Sequence, residues 1–302
     1  LKSNGPVKTF EGLGGLFRAH TACINSILEP MGGRLMPTGM HPWMDPAKET
    51  RLWRRRYRKI YETYDRIFNC CRHGWANLQS VHLNLPFRGD EEFGRLHAAV
   101  RLLLPILPAL AASSPAEEGR LSGLMDTRLF HYGKNQSRIP SISGKIIPEP
   151  VYSREGYEKS ILGKMYADMA VEDSGGVLRH EWLNSRGAIP RFDRDTIEIR
   201  LLDVQECAKA DLAIAGVIIE TLKSLAGERW SSFQEQSRWK VGPLFCILEG
   251  TIREGERFVV RDRDYLRTLG LSGGSARAGE VWRFLSEYAR AGDSFPEAEY
   301  RQ

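Results

Sequence analysis

The sequence lacks the short motifs that mark several large enzyme classes. Its 302 residues contain no Walker-type phosphate loop, no Gly-x-Gly-x-x-Gly fingerprint and no Gly-x-Ser-x-Gly elbow. No signal peptide is recognisable, and no apolar run approaches the roughly 18 residues of a membrane span. These absences leave P-loop, Rossmann and serine-hydrolase chemistry without support. They favour a cytoplasmic protein with no membrane partner.

Cysteine is also scarce and is not arranged for cross-linking or metal binding. The five cysteines form an odd set without metal-type spacing, and two of them are adjacent: Cys23, Cys70, Cys71, Cys207 and Cys246. This pattern predicts free and mostly buried thiols in a reducing cytoplasm.

The bulk composition is that of an ordinary folded protein. Hydrophobic residues make up 42% of the chain and charged residues 27%, with a formal net charge of +5. The length allows a single large domain or two small ones. The slight positive charge suits an anionic small molecule without requiring one.

Two alternating segments carry the strongest chemical signal. Residues 79–87 and 195–203 both have the period of two that is typical of a strand. In the first, His82 lies on the face opposite three aliphatic side chains. In the second, Glu198 and Arg200 lie on the face opposite three other aliphatic side chains. Imidazole and carboxylate groups can bind a divalent cation, and a guanidinium can bind phosphate oxygens. A hydrogen-bonded histidine and a structural ion pair remain the alternatives.

The remaining pattern predicts an α+β fold, in which helices alternate with antiparallel strands. We expect helices over residues 10–28, 46–71, 90–112, 157–170, 205–225 and 278–291, and further strands over 177–182 and 196–204. Residues 113–150 are rich in Gly, Ser and Pro and predict a long functional loop. Residues 230–302 are interpreted as a C-terminal lobe of the same domain.

A basic and aromatic stretch over residues 51–59 raises the alternative of nucleic-acid binding. However, Trp53, Tyr57 and Tyr64 recur at helical intervals within the predicted helix 46–71. We therefore interpret the aromatic side chains as a buried stripe and the arginines as a solvated face. On this basis no nucleic-acid partner is expected.

Two arginines in the long loop are further candidates. Arg128 and Arg138 lie on a connection rich in Gly and Ser, where such side chains can hold an anion. Two exposed surface charges are the alternative.

Four stretches in order resemble the bacterial glutamate–cysteine ligase-like carboxylate–amine ligases, which share the fold of glutamine synthetase and guanido kinases. The stretches are Met36-Pro37-Thr38-Gly39-Met40-His41-Pro42-Trp43, Gln79 to Asn84, Ala112-Ser113-Ser114-Pro115, and Thr196 to Asp203. The resemblance covers most of residues 12–225. It implies a curved, mainly antiparallel sheet packed by helices, as in the catalytic domain of glutamine synthetase.

The resemblance also implies roles for particular residues. His82 and Glu198 would bind Mg²⁺ or Mn²⁺, and Arg200 would bind ATP and take part in catalysis together with Glu198. Looser matches imply that Arg128 and Arg138 bind ATP. Arg138 would also bind the substrate, together with Thr38 and His41, which would line the same cleft. Ser80 and Asn84 replace the first His and the Gly of the family's His-x-His-x-Gly strand.

One part of the family pattern has no match in this sequence. The family draws further metal-binding carboxylates from a Glu-x-Glu motif in its first strands, and nothing here corresponds to that motif. Since the sequence opens with Leu1-Lys2-Ser3-Asn4 rather than Met, we expect that a preceding N-terminal stretch has been omitted. Residues 1–302 would then form a single catalytic domain without its first strands.

The implied activity is ATP-dependent amide-bond formation from a glutamate-like carboxylate and an amine, through an acyl phosphate. Two alternatives stay open: a phosphotransferase on the same fold, and a non-catalytic nucleotide-binding relative. The expected partners are small molecules and a second copy of the chain in a homo-oligomer.

Overall fold

The computed structural model describes residues 2–3 and 5–290, and helices dominate this part of the chain. Its α-helices are α1 (Leu13–Leu28), α2 (Pro46–Glu49), α3 (Arg58–Phe68), α4 (His73–Ala76), α5 (Gly89–Leu103), α6 (Leu107–Ala111), α7 (Thr127–Tyr132), α8 (Arg154–Tyr157), α9 (Gly163–Ala170), α10 (Ala208–Ala226), α11 (Phe233–Ser237), α12 (Val241–Glu254), α13 (Arg263–Thr268) and α14 (Ala278–Arg290). Its strands are β1 (Ser80–Pro86), β2 (Ala116–Glu117), β3 (Arg120–Leu121), β4 (Ala188–Arg191), β5 (Thr196–Asp203), β6 (Val259–Val260) and β7 (Ala276–Arg277).

The strands form small antiparallel sheets. The largest has the order β1–β5–β4, with β5 in the centre, and β2–β3 and β6–β7 are two-stranded. The mixture of helices with antiparallel strands confirms the α+β class that the sequence predicts.

The central strand β5 separates an apolar face from a polar one. Ile197, Ile199 and Leu201 are buried, with at most 1% of their surface exposed. They belong to the main hydrophobic core, and both α5 and α6 contact this strand. The predicted alternation along this strand is therefore confirmed, and the polar side chains between these residues lie on the opposite face.

The core is centred on the helical stretch from α5 to α6. By length and hydropathy, Gly89–Ala111 is the one helical stretch in the described residues that could cross a membrane, but 78% of its most apolar window is buried inside the protein. A buried core helix of a folded domain has the same composition. The apolar character of this stretch is thus accounted for by packing.

The helices that follow residue 230 are joined to this core by specific hydrogen bonds. The indole of Trp282 donates to the carbonyl of Ile106 at 2.6 Å, and the hydroxyl of Tyr265 donates to the carbonyl of Leu102 at 2.7 Å. Both acceptors lie in the stretch from α5 to α6. The C-terminal helices therefore pack directly on the helices that cover the main sheet.

The predicted helix over residues 46–71 is wrong in its first half. The chain forms the short α2, then an irregular segment, and helical structure resumes only at Arg58, after Tyr57 adopts a left-handed φ of 71°. Trp53 and Tyr57 are 58% and 56% exposed, so they do not belong to a buried stripe. Six cations within residues 51–59 would repel one another along a continuous helix, which favours the irregular backbone.

Two other local predictions also fail. Residues 177–182 form turns and a 3₁₀ segment (Glu181–Leu183) instead of a strand, and β4 occupies that edge of the sheet. The predicted loop over 113–150 contains the β2–β3 hairpin and α7. The helix predicted over 278–291 is α14, and Ala291 lies outside the described residues.

The cysteines are free, as predicted, but they are not mostly buried. Cys23, Cys207 and Cys246 are exposed, and Cys70 and Cys71 are half-buried. Cys23 is exposed on α1, a helix in which Leu13 is the one buried residue.

Candidate functional site

The polar face of the main sheet brings together side chains from β1 and β5. Asn84 lies opposite Glu198 in the register, and the pairing is irregular between Val81 and Leu83. His82 lies at this irregularity, and its Nδ1 is 3.0 Å from Oε1 of Glu198. The two candidate metal ligands therefore meet although they are more than 100 residues apart in the sequence.

Two arginines approach the same carboxylate. Nε of Arg200 donates to Oε1 of Glu198 at 2.7 Å, and its Nη1 donates to the carbonyl of Asn184 at 3.1 Å. Arg191 on β4 places Nη1 3.6 Å from Oε2 of Glu198 and also pairs with Asp193. The sequence reasoning missed Arg191, because the strand that carries it was not predicted.

The group is open to solvent on one side. The side chain of His82 is 43% exposed, whereas those of Arg200 and Glu198 are 14% and 9% exposed. A ligand can thus reach the imidazole directly, while the carboxylate and the guanidinium are largely shielded from solvent.

These neighbours determine the charge of the group. Burial tends to raise the pKa of Glu198, but the hydrogen bond from His82 and the positive charge of Arg200 outweigh it and lower the pKa to about 2. Burial alone would lower the pKa of Arg200, yet the Tyr132 phenol and the Glu198 carboxylate raise it. Glu198 is therefore an anion and Arg200 a cation at neutral pH.

His82 and Glu198 have the chemistry of a partial cation site. The hydroxyl of Ser80 lies 3.0 Å from Nε2 of His82. With a cation bound, this hydroxyl would accept the proton of Nε2, and Nδ1 would give up its hydrogen bond to Glu198 and offer a lone pair to the ion. Two neighbouring ligands of an octahedral ion at about 2.1 Å lie about 3 Å apart, close to the separation of Nδ1 and Oε1. No cluster of three or more His, Cys, Asp and Glu side chains suited to a metal occurs in the described residues. Asn84, which lies opposite Glu198 in the register, could add an amide oxygen to these two ligands.

Arg128 does not face this group in the structure. Its side chain is 1% exposed, Nε pairs with the carboxylate of Asp203, and Nη2 donates to the carbonyl of Leu201 at 2.8 Å. Asp203 also accepts from the backbone of Ser113 and the hydroxyl of Ser114. These contacts fix α7 and the loop around residue 113 to the end of β5.

Arg138 lies at the surface, and its contacts are to other elements. The guanidinium pairs with both carboxylate oxygens of Glu172 at about 3 Å, and the side chain is 56% exposed. No hydrogen bond or ion pair among the described residues joins it to His82, Glu198 or Arg200.

Thr38 and His41 shape the loop before α2. The hydroxyl of Thr38 donates to the carbonyls of Met40 and Ser113, and Gly39 accepts from the backbone of Gln79, just before β1. Nδ1 of His41 accepts from the backbone of residues 43 and 44. This loop therefore lies at the end of the sheet where β1 begins and β5 ends.

Comparison with known proteins gives a family match over most of the chain. Residues 1–241 match the family model described as glutamate–cysteine ligase family 2. The matched region contains both strands of the candidate site, α7 and the loop with Thr38 and His41.

Several curated proteins match parts of this chain. An uncharacterized protein of Archaeoglobus fulgidus is 40% identical over 220 residues, covering 72% of this chain and 59% of that protein. A protein of Nocardioides sp., provisionally named glutamate–cysteine ligase 2-1, is 28% identical over 63% of this chain and 44% of its own length. A Rubrobacter xylanophilus protein, provisionally named glutamate–cysteine ligase 2-3, is 31% identical over 37% of this chain and 30% of its own length. The chain thus spans about half the length of the curated relatives it matches.

Proposed function

This chain belongs to glutamate–cysteine ligase family 2, and we propose that it carries the catalytic site of an ATP-dependent carboxylate–amine ligase. The proposed reaction joins the γ-carboxylate of glutamate to an amine. The carboxylate attacks the γ-phosphorus of ATP and gives γ-glutamyl phosphate and ADP. The amine then displaces phosphate and forms the amide.

One observation supports this proposal above the others. A single oxygen of Glu198 lies 3.0 Å from an imidazole nitrogen and 2.7 Å from a guanidinium nitrogen, on a face that is open to solvent at His82. Phosphoryl transfer needs fixed positive charge and accurate placement more than covalent chemistry from the protein. A carboxylate that stays ionised beside a cation is suited to that task.

The roles of the residues follow from their surroundings. His82 and Glu198 would hold Mg²⁺ or Mn²⁺, which when bound neutralises charge on the phosphates. Arg200 would bind oxygens of the transferred phosphoryl group, and Arg191 would add a second cation beside it. Because Asn184 accepts a hydrogen bond from Arg200, the guanidinium is already oriented before ATP binds.

The other candidates have less direct roles. Thr38 and His41 would shape the edge of the substrate cleft, and Arg138 would contact substrate or ATP only after release from Glu172. Arg128 would act on the site indirectly by positioning α7 against Asp203. We further propose that the main sheet has the curved arrangement of glutamine synthetase, in a single cytoplasmic catalytic domain that acts on small molecules.

The proposal is tested by measuring ADP and phosphate after incubation with ATP, Mg²⁺, glutamate and cysteine, with mass spectrometry of the amide. Glu198→Gln and Arg200→Ala should each lower turnover by about 100-fold or more, because each removes a charge that acts on the transferred phosphoryl group. Matched controls are Glu158→Gln and Arg194→Ala. Both affect exposed side chains of the same types, and they should leave turnover within about two-fold of the unaltered protein.

Three results would contradict the proposal. Wild-type turnover in both Glu198→Gln and Arg200→Ala would show that these two residues do not form the catalytic site. A stable phosphorylated product formed without any amine would indicate a phosphotransferase. ATP binding without ADP release would indicate a binding protein that retains only the fold.

A further inference from the structure

A second group of ionisable side chains lies outside the His82 group, and we name it the His–Glu cluster. It consists of His73 at the start of α4, His131 on α7, Glu117 on β2 and Glu118 in the turn of the β2–β3 hairpin. Nε2 of His73 is 3.1 Å from a carboxylate oxygen of Glu118, and Nε2 of His131 is 2.5 Å from one of Glu117. The two imidazole rings are 5.1 Å apart. Two histidine–carboxylate pairs therefore lie side by side.

The orientation of His73 is fixed by a neighbouring amide. Asn77 accepts from the backbone N–H of His41 at 2.8 Å and donates to its carbonyl at 2.9 Å, which assigns the oxygen and nitrogen of its side chain. The same amide nitrogen lies 3.2 Å from Nδ1 of His73, which must therefore accept a hydrogen bond. His73 then carries its proton on Nε2 and donates it to Glu118. This leaves the outer oxygen of Glu118 for another donor.

His131 has a different arrangement. Its Nε2 faces Glu117, and among the described residues no hydrogen bond reaches its Nδ1. A carboxylate that accepts from one imidazole nitrogen leaves a lone pair on the other and stabilises the imidazolium that forms when this lone pair takes a proton. His131 is 24% exposed, so that Nδ1 lone pair is accessible. The pair has the geometry of a general base.

The cluster adjoins the proposed ligase site through α7. This helix carries His131 and also Arg128, which pairs with Asp203 on β5, the strand that holds Glu198 and Arg200. The cluster also contacts the loop with His41 through Asn77. The two carboxylates give the cluster an acidic character, while the ammonium group of the nearby Lys48 is paired with Asp45. The cluster therefore favours a positively charged ligand, whereas the group around Arg200 favours negatively charged phosphates.

We propose that the His–Glu cluster binds the ammonium group of the acceptor amine and that His131 removes its proton. This assignment rests on the proposed ligase function. An amine that arrives protonated has no lone pair, so it cannot attack an acyl phosphate until one proton has been removed. The His82 group offers no unpaired base for this step, because both nitrogens of its imidazole have partners.

The R–NH₃⁺ group hydrogen-bonds to Glu118, and Nδ1 of His131 accepts one of its protons to give R–NH₂ and an imidazolium. The nitrogen lone pair then forms the C–N bond as the C–O bond to phosphate breaks. A second nitrogen proton leaves with the phosphate as HPO₄²⁻, and His131 returns its proton to water. No oxidant or other co-reactant is needed.

The test compares two nucleophiles in the same protein. Cysteine presents an ammonium group at neutral pH, whereas hydroxylamine is mostly uncharged there and needs no base. In His131→Gln, the amide nitrogen can still donate to Glu117, but the lone pair is lost. This variant should lower amide formation with cysteine by about 100-fold and change hydroxamate formation with glutamate, ATP and hydroxylamine by less than about three-fold. His20→Gln, on the exposed side of α1, is the control and should change neither rate.

Glu118→Gln provides a second test at an exposed position, where loss of folding is not expected. It should raise KM for cysteine about ten-fold or more, with little change in kcat or in hydroxamate formation. Equal losses with both nucleophiles, or wild-type rates with cysteine in both variants, would overturn the assignment of the cluster. Absence of any hydroxamate from the unaltered protein would instead overturn the ligase function on which the assignment rests.

Discussion

The carboxylate of Glu198 is held as an anion by His82 and Arg200, which meet at its Oε1. The period of two along β5 placed Glu198 and Arg200 on one face and three aliphatic residues on the other, as the structure has them. Their contact with His82 was a hypothesis from resemblance, because no local pattern specifies which strands pair. The lowered pKa of Glu198 means that its contribution to stability is present above the ordinary value of 4.5 and is lost as the pH falls through about 2.

Arg128 shows the limit of such reasoning. An arginine on a Gly- and Ser-rich connection looks the same in the sequence whether it binds an anion or a buried carboxylate. Its burial depends on Asp203, which lies 75 residues further along the chain. Only the tertiary arrangement, in which β5 ends beside α7, distinguishes the two cases.

Asp126 gives a residue-scale prediction about pH. It is fully buried, and its Oδ1 accepts from the backbone of Leu129 at 2.7 Å. Burial and then the nearby Asp203 carboxylate raise the pKa of Asp126 well above its ordinary value of 3.8. The folded state therefore retains a proton that the unfolded chain loses as the pH rises. Its contribution to stability is complete below 3.8 and is lost as the pH rises through the raised pKa.

Asp126→Asn should remove this pH dependence, because the amide oxygen can still accept from Leu129 but cannot titrate. As the pH rises, the free energy of unfolding should fall more in the unaltered protein than in the variant. We expect the difference between the two falls to exceed about 1.4 kcal/mol. Urea unfolding at several pH values between about 4 and 8 measures the difference. The exposed Asp264→Asn is the control and should follow the unaltered protein. Parallel pH profiles for all three proteins would contradict the prediction.

At the scale of elements, helices and strands were predicted correctly where their apolar residues recur at regular intervals and pack on the core. The stretch from α5 to α6 and the long α10 follow this rule. The helix over residues 46–71 failed because helical spacing of Trp53 and Tyr57 implies a shared face only if the backbone between them is helical. Repulsion among the arginines and the positive φ of Tyr57 interrupt it.

Gly39 gives an element-scale prediction about the loop before α2. A Cβ atom at this position would overlap the carboxylate of Asp203, which is held by Ser113, Ser114 and Arg128. Because Asp203 cannot move away without breaking these contacts, Gly39→Ala should destabilise the protein by about 2–3 kcal/mol. Denaturant unfolding measures this change.

A matched substitution separates the clash from the general effect of replacing glycine. Gly15 lies in α1, and a Cβ atom added there would meet no atom within 4 Å other than those of the neighbouring helix backbone. Gly15→Ala should therefore be neutral or stabilise the protein by up to about 1 kcal/mol. If the two alanine variants have the same stability, the close approach of the loop to β5 is not present in solution.

At the scale of the whole molecule, the alternation of helices with antiparallel strands was sufficient to predict the α+β class. The order β1–β5–β4 was not predictable, because β4 is only four residues long and lies between turns. The convergence of the loop before α2, α7 and the end of β5 around Asp203 also depends on contacts between residues far apart in the chain. The candidate site lies on the polar face of that same sheet.

The most direct test of this account is a crystal of the protein grown with ATP and Mn²⁺ and measured for the anomalous signal of manganese. We predict a manganese peak about 2.0–2.3 Å from a ring nitrogen of His82 and a carboxylate oxygen of Glu198, with Arg200 on the phosphate oxygens. Manganese and nucleotide bound elsewhere, with His82 and Glu198 still paired only with each other, would contradict it.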